Sequence, residues 1–164
     1  MIHELNSINT DGLIAESVLL SAATLIEAPV SIKGGSAVRL SIGILWAAAG
    51  NASLEINNTG GSTGINSRFI SGYAGGPASA ESFAAPAGVF TGGDASGQTF
   101  TAADLALIGT RLMVTGQSVR SYSTGHLLCF SLFGPTGVSS INHLLVRSSV
   151  ANAFSAGSFL RVYK

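Results

Sequence analysis

The stretch "AVRLSIGILW", residues 37–46, alternates large apolar residues with small or charged ones through most of its length. Val38, Leu40, Ile42 and Ile44 stand at every second position, which is the period of a β-strand with one buried face. The pattern predicts a strand that packs one side on a core and turns the other side outward. Because the same period recurs along the chain, this stretch decides the fold class.

Other segments repeat the strand signature: 13–20, 53–57, 68–71, 111–115, 126–133, 141–148 and the closing 158–163. Two loops, Gly134–Gly137 and Ala151–Gly157, are typical of hairpin connections between neighbouring strands. Helical signal is confined to Phe100–Leu107, where Thr101 and Asp104 have the spacing of an N-terminal cap. That segment predicts one short helical turn.

Short strands, glycine-rich turns and little helix together predict an all-β chain, an antiparallel β-sandwich of jelly-roll type. We expect an N-terminal arm at 1–12 and a single jelly-roll domain at 13–164. A Gly/Ala/Pro-rich excursion at about 72–99 has few large side chains. Loops of that length inside a compact domain are typically functional, so the excursion is either an interface arm or a folded loop.

Charged residues make up only 10% of the 164 residues, and the formal net charge is zero. Typical soluble domains carry about 25% charged residues, so this chain has too few to cover a lone monomer. We therefore expect it to form a homo-oligomer or to bind another protein. The eight basic residues stand singly, which argues against nucleic acid. The longest apolar stretch, Ile42–Gly50, is far shorter than the ~20 residues that cross a membrane.

One pattern in the chain has the form of a catalytic motif. "GGSTG", residues 60–64, matches the Gly-x-Ser-x-Gly turn of hydrolases, and Asp94 or Asp104 with His126 or His143 would complete a triad in the usual chain order. The residues after the motif lack helical periodicity, which that turn requires. We interpret the motif as a glycine-rich turn.

The sequence does not indicate a metal site or a reactive thiol either. The three histidines are widely spaced and belong to no metal-ligand pattern. The single cysteine, Cys129, stands in an apolar run and is expected to be a small buried hydrophobe. The sequence predicts a protein that is not an enzyme and that uses no cofactor and no metal.

Eight apolar residues are candidates for contact with partners: Met1, Ile2, Leu5, Trp46, Tyr73, Phe83, Phe90 and Tyr122. Exposed aromatic rings can also stack on sugar rings, and Trp46, Tyr73 and Tyr122 are the residues that would do so. The alternative that these three pack in the core or in loops is favoured, because aromatic residues in cores and interfaces outnumber sugar platforms.

The C-terminal segment "SSINHLLVRSSVANAFSAGSFLRVYK", residues 139–164, resembles the final hairpin of small jelly-roll domains on tailed-bacteriophage virions. In those domains a strand is followed by a short loop and a closing strand of the form "f-s-x-G-s-i-x-l-Y". The pattern is met here by Ile141, Leu145, Phe154, Ser155, Gly157, Ser158, Leu160 and Tyr163. The segment Asn9–Leu13 is loosely similar to the start of the first strand in the same class.

The resemblance implies a trimer of jelly rolls and a place in the virion. The preferred hypothesis is a capsid decoration (cement) protein, with the major capsid protein or another virion protein as its partner. The alternative is a tail-fibre or spike tip module that binds host-surface glycans. For the decoration hypothesis, the candidate contact parts are the N-terminal arm Met1–Leu5, the segment 72–99 and a three-fold seam of small and apolar residues.

Overall fold

The structure is a computed structural model that describes residues 12–57, 66–73, 79–83, 89–121 and 126–164. Within these ranges there are strands and turns but no helix. The first six strands are β1 (Leu13–Val18), β2 (Leu25–Lys33), β3 (Ser36–Leu45), β4 (Gly50–Ile56), β5 (Asn66–Tyr73) and β6 (Ser79–Phe83). The next six are β7 (Val89–Gly93), β8 (Gln98–Ile108), β9 (Arg111–Arg120), β10 (His126–Pro135), β11 (Ser140–Ser148) and β12 (Phe159–Tyr163).

These strands form two antiparallel sheets packed face to face, so the predicted all-β sandwich is confirmed. The large sheet has eight strands in the order β1-β12-β3-β8-β9-β10-β5-β6. The small sheet has four strands in the order β2-β11-β4-β7. Side chains alternate between the two sides of each strand. One side of each sheet therefore builds the shared core and the other side forms an outer face.

The closing strand β12 lies inside the large sheet, between β1 and β3. Leu160 and Val162 point into the core and are fully buried, while Phe159 and Arg161 lie on the outer face. A chain end is ordered when a sheet holds it on both sides. The apolar, alternating C-terminus is thus explained as a central strand, as its sequence predicts.

The chain winds between the two sheets rather than completing one before the other. β1 and β3 belong to the large sheet, while β2 and β4 belong to the small sheet. The late strands pair with the early ones: β12 pairs with β1, β11 with β2, β8 with β3, and β7 with β4. Two further hairpins, β5–β6 and β9–β10, extend the large sheet beyond β8.

Trp46 anchors the core where the two sheets meet. Its side chain is 2% exposed, and its Nε1–H donates to Thr99 Oγ1 at 2.8 Å. The indole meets the ring of Phe154 edge to face, with ring centroids 5.4 Å apart. A Cβ atom at Gly93 would overlap the indole, so only glycine allows this close approach of β7. The arrangement satisfies the buried indole donor, as buried tryptophans usually require.

A short chain of buried hydroxyl groups lies beside the indole. The Thr101 hydroxyl donates to Ser118 Oγ at 2.9 Å, and Ser118 Oγ lies 2.8 Å from Thr91 Oγ1. All three residues are at most 1% exposed. They come from β7, β8 and β9, so the hydrogen bonds tie the small sheet to the large one. Buried polar groups satisfied in this way help to specify one packing arrangement.

Three sequence predictions are wrong. Phe100–Leu107 is part of strand β8, because its residues alternate between the core and the outer face. The loops Gly134–Gly137 and Ala151–Gly157 do not close hairpins, because each connects strands of different sheets. The C-terminal segment compared with a final hairpin is accordingly two strands, β11 and β12, in opposite sheets.

The predicted excursion at about 72–99 holds two strands, and one strand was missed elsewhere. Within the excursion, β6 pairs with β5 in the large sheet and β7 pairs with β4 in the small sheet. Strand β2 was not predicted, since Pro29 interrupts its pattern. Proline is tolerated there because β2 is an edge strand of the small sheet.

Candidate functional site

Two of the predicted contact residues are core residues, which corrects their assignment. Trp46 is 2% exposed and Phe90 is 1% exposed. The Phe90 ring lies against the ring of Phe130, with centroids 5.7 Å apart. Neither side chain is accessible to a partner or to a sugar. The interpretation of Trp46 as the end of a core strand is the one that the structure supports.

The other predicted contact residues are not tested by side-chain geometry. Met1, Ile2, Leu5 and Tyr122 lie outside the described residues. Tyr73 and Phe83 are the last residues of β5 and β6. These six assignments stay predictions.

Two of the residues considered for catalysis, Asp104 and His143, lie far apart in the structure. The motif at 60–64 lies outside the described residues. Asp104 is on the outer face of the large sheet, paired with Arg39, and His143 is on the outer face of the small sheet. The sandwich separates them. Among the described residues, no group of three or more His, Cys, Asp or Glu side chains is placed to hold a metal ion.

The outer face of the small sheet carries two acid–base pairs on three adjacent strands. His143 Nδ1 lies 2.7 Å from Glu27 Oε1, and Arg147 Nε donates to both carboxylate oxygens of Glu55 at 2.9 and 3.1 Å. Leu145 lies between the two acids in the strand register and is only 1% exposed. The Glu55 side chain is 4% exposed. Glu55 and Leu145 are therefore shielded from solvent, whereas the side chains of the other three residues are 36–43% exposed.

The outer face of the large sheet has the opposite character. Strand pairing aligns Val18, Phe159, Gly43, Phe100, Val119 and Leu127 in one continuous line across six strands. We call this line the apolar row. Four of its side chains are 44–53% exposed. The outward side of a half-buried antiparallel sheet is normally polar, so this row of apolar side chains departs from the usual pattern.

Gly43 and Phe159 form the middle of the apolar row. A Cβ atom at Gly43 would overlap the Phe159 ring, so the ring lies flat over the glycine. The Arg161 guanidinium is 4.5 Å from the centroid of the same ring, a cation–π contact. Arg161 also pairs with Glu16 on the neighbouring strand. The middle of the row is thus held in a defined conformation by contacts within the chain.

A polar trough runs beside the apolar row. It is an open depression of about 530 Å³ on the outer face, and its lining includes Arg39, Asp104, Thr115, Gln117 and Cys129. Arg39 Nε lies 3.3 Å from Asp104 Oδ1. Cys129 faces this trough and is partly exposed, which corrects its predicted burial in the core.

Beyond the trough, the same face becomes apolar again. Ala106 and Met113 stand opposite each other in the register, and Ile108 follows at the end of β8. Ile108 is 59% exposed and Met113 is 47% exposed. We call these three residues the far patch. Sequence reasoning missed both apolar surfaces, because an outward side chain can be recognised only once the strand is recognised, and β8 was interpreted as helical.

In the part of the chain that the structure describes, no helix is long and apolar enough to cross a membrane. Comparisons with protein-family models, with curated proteins and with solved structures find no match to this chain.

Proposed function

We propose that this chain is a structural protein of a tailed-bacteriophage virion, forming homo-oligomers, with the trimer as the expected form, that decorate and stabilise the capsid. The single observation that carries the proposal is the outer face of the large sheet. It exposes apolar side chains in an ordered row where a self-sufficient domain would place polar ones. In this proposal the chain functions with its apolar outer face in contact with a neighbouring subunit.

The order of the strands supports the jelly-roll part of the proposal. Strands β1, β12, β3 and β8 are neighbours in one sheet, and β2, β11, β4 and β7 are neighbours in the other. This is the order obtained when a long antiparallel ribbon is wrapped into two sheets, which is how a jelly roll is built. The two extra hairpins widen one sheet without changing that winding.

A decoration protein stabilises a shell by mass action. A protein that binds the assembled lattice, and not its free subunits, shifts the equilibrium toward assembly. Exposed edges of the sandwich can add to a neighbouring sheet through backbone hydrogen bonds, and the apolar surface adds the hydrophobic contribution. The low charge suits this role, because few charges must be desolvated on contact.

The test uses the phage particles that carry this chain. Particles are disrupted, heads and tails are separated on a gradient, and the chain is located with an antibody. We expect the chain in the head fraction, and we expect heads stripped of the chain to burst at a lower temperature. A chain found on tails would support the tail-fibre alternative instead, and a chain found on neither would overturn both.

A further inference from the structure

The apolar row has the length of a protein–protein contact rather than of a ligand pocket. Six strands about 4.8 Å apart give a row roughly 24 Å long. Its exposed members (Val18, Phe100, Val119, Leu127) leave a continuous apolar line with no charged residue in it. A line of this length cannot be covered by a small ligand.

The whole face has the size that a second copy needs. From Phe100 to Ile108 along β8 is roughly 27 Å at the strand rise, so the face measures about 650 Å² in projection. Side-chain relief raises the accessible area above that projection. A standard stable interface buries about 800 Å² on each partner. The apolar row, the polar trough and the far patch together therefore provide one standard interface surface.

Charge on this face is mixed: it carries two ion pairs, and Arg111 adds one cation beside Ile108. Glu16 pairs with Arg161, and Arg39 pairs with Asp104. Each pair offers both signs, and the chain as a whole has a formal net charge of zero. A strongly charged partner would therefore gain little from this face. A second copy brings the same two ion pairs, so the cation of each pair can meet an anion of the other copy.

We infer that the outer face of the large sheet seats a second copy of this chain, with the apolar row along one side of the contact. The inference deepens the proposed function and rests on its homo-oligomeric part. Two twisted sheets pack readily face to face, as the two sheets within this sandwich already do. Such a contact would bury Phe100 and Val119 and would remove the exposed apolar surface from water.

The test measures the mass of the purified chain in solution, by sedimentation over a range of concentrations. We expect the wild-type chain to exceed the 16.5 kDa of one copy. Val119→Glu should weaken self-association by at least about tenfold, because a carboxylate would be buried in the contact without a partner. A mass of two copies that Val119→Glu lowers supports the inference, whereas a trimer would overturn it, because a contact between two identical faces closes at two copies.

Gln117→Glu is the matched control. Gln117 lies on the same strand, two residues away, exposed on the same face but in the polar trough. It adds the same charge in the polar trough, beside polar groups, and not in the apolar row, so we expect self-association to weaken by less than it does in Val119→Glu. Equal weakening by both variants would overturn the role given to the row.

A second measurement needs no variant. Met113 is 47% exposed in the single chain, and an exposed methionine is readily oxidised to the sulfoxide. If a second copy covers this face, the rate of Met113 oxidation by peroxide, followed by peptide mass spectrometry, falls as protein concentration rises. A rate independent of concentration, in a sample that sedimentation shows to be oligomeric, would overturn the inference.

Failure of this inference and failure of the proposed function give different results. An oligomer that persists unchanged in Val119→Glu, and that still locates to phage heads, keeps the function and rejects this face. A chain that is monomeric at every concentration, with a glycan or another virion protein covering the face, rejects the inference and the homo-oligomer together. A chain that self-associates through the row but is absent from virions keeps the inference alone.

Discussion

On the outer faces of the two sheets, exposure does not follow polarity: a carboxylate is buried on one face, and apolar side chains are exposed on the other. The small sheet has two acid–base pairs on its outward side, yet Glu55 and Leu145 there are almost fully buried. The large sheet has apolar residues on its outward side, and Phe100 and Val119 there are about half exposed. Burial in this molecule is therefore not a simple consequence of residue type, and each face has to be judged by its contacts.

The comparison separates two kinds of energetic contribution. On the small sheet, the outward residues already make their contacts within one chain, so they contribute to the stability of the monomer. On the large sheet, the outward apolar residues gain contacts only when something covers them. Substitutions on the first face should change the free energy of unfolding, and substitutions on the second should change association. The predictions below test this distinction.

The largest effect is expected for Arg147→Ala on the small sheet. Arg147 makes two hydrogen bonds to the carboxylate of Glu55, whose side chain is 4% exposed. Removing the arginine leaves a buried carboxylate without its cation, which costs about 3–5 kcal/mol in comparable buried pairs. Urea unfolding measures the loss. The double variant Arg147→Ala with Glu55→Gln should recover part of it, and a loss under about 1 kcal/mol would show that Glu55 does not depend on this pair.

Leu145→Ala should have the next largest effect. Leu145 is 1% exposed although it faces outward, and truncating a buried leucine costs about 2–4 kcal/mol through lost contacts and a residual cavity. Val119→Ala on the large sheet is the matched comparison. At low protein concentration Val119→Ala should lower the free energy of unfolding by less than about 0.5 kcal/mol, as substitutions at exposed positions do.

Protein concentration distinguishes these two positions further. Unfolding of an associating chain depends on concentration by mass action. We expect the effect of Val119→Ala to grow with concentration, and the effect of Leu145→Ala to stay constant. If both effects stayed constant, the difference between the two outer faces would be one of packing within a single chain.

Gly43→Ala tests how the apolar row is built. The added Cβ would overlap the Phe159 ring, so the ring must leave its place between Gly43 and Arg161. Such overpacking costs about 1–3 kcal/mol. Ser41→Ala, at the preceding outward position of β3, is the control, and it should change the free energy of unfolding by less than about 0.5 kcal/mol. Equal, small effects would mean that the ring moves freely and that the row is not preformed.

The sequence was sufficient for the strands whose two sides differ clearly in polarity. β3 was predicted to within one residue at each end, and the start of β12 differs by one residue. In both, large apolar residues alternate with small or charged ones, so the period of two is visible. β8 was missed because its outward positions include Phe100, Ala102 and Ile108, which are as apolar as its inward ones. The outward residues that made β8 hard to recognise as a strand are part of the candidate contact face.

The assignment of strands to sheets could not be obtained from the sequence. Pairing of β12 with both β1 and β3 joins residues more than a hundred positions apart, and no local pattern records such a contact. The loops Gly134–Gly137 and Ala151–Gly157 have the composition of hairpin turns, yet tertiary packing directs each of them from one sheet to the other. For the same reason, the aromatic residues proposed for contacts could not be assigned from residue type alone. Trp46 and Phe90 lie in the core.

The smallest effect is expected for Asp104→Asn in the polar trough. The Asp104 and Arg39 side chains are 67% and 72% exposed, and their closest atoms are 3.3 Å apart. An ion pair so open to water contributes less than about 1 kcal/mol, because solvent screens it. Urea unfolding at low protein concentration should therefore hardly change, in contrast to Arg147→Ala. In the oligomer, however, the variant leaves Arg39 without an anion in the contact, so self-association should weaken and should become more sensitive to salt. A stability loss as large as that of Arg147→Ala would mean that the two outer faces do not differ in the way their burial indicates.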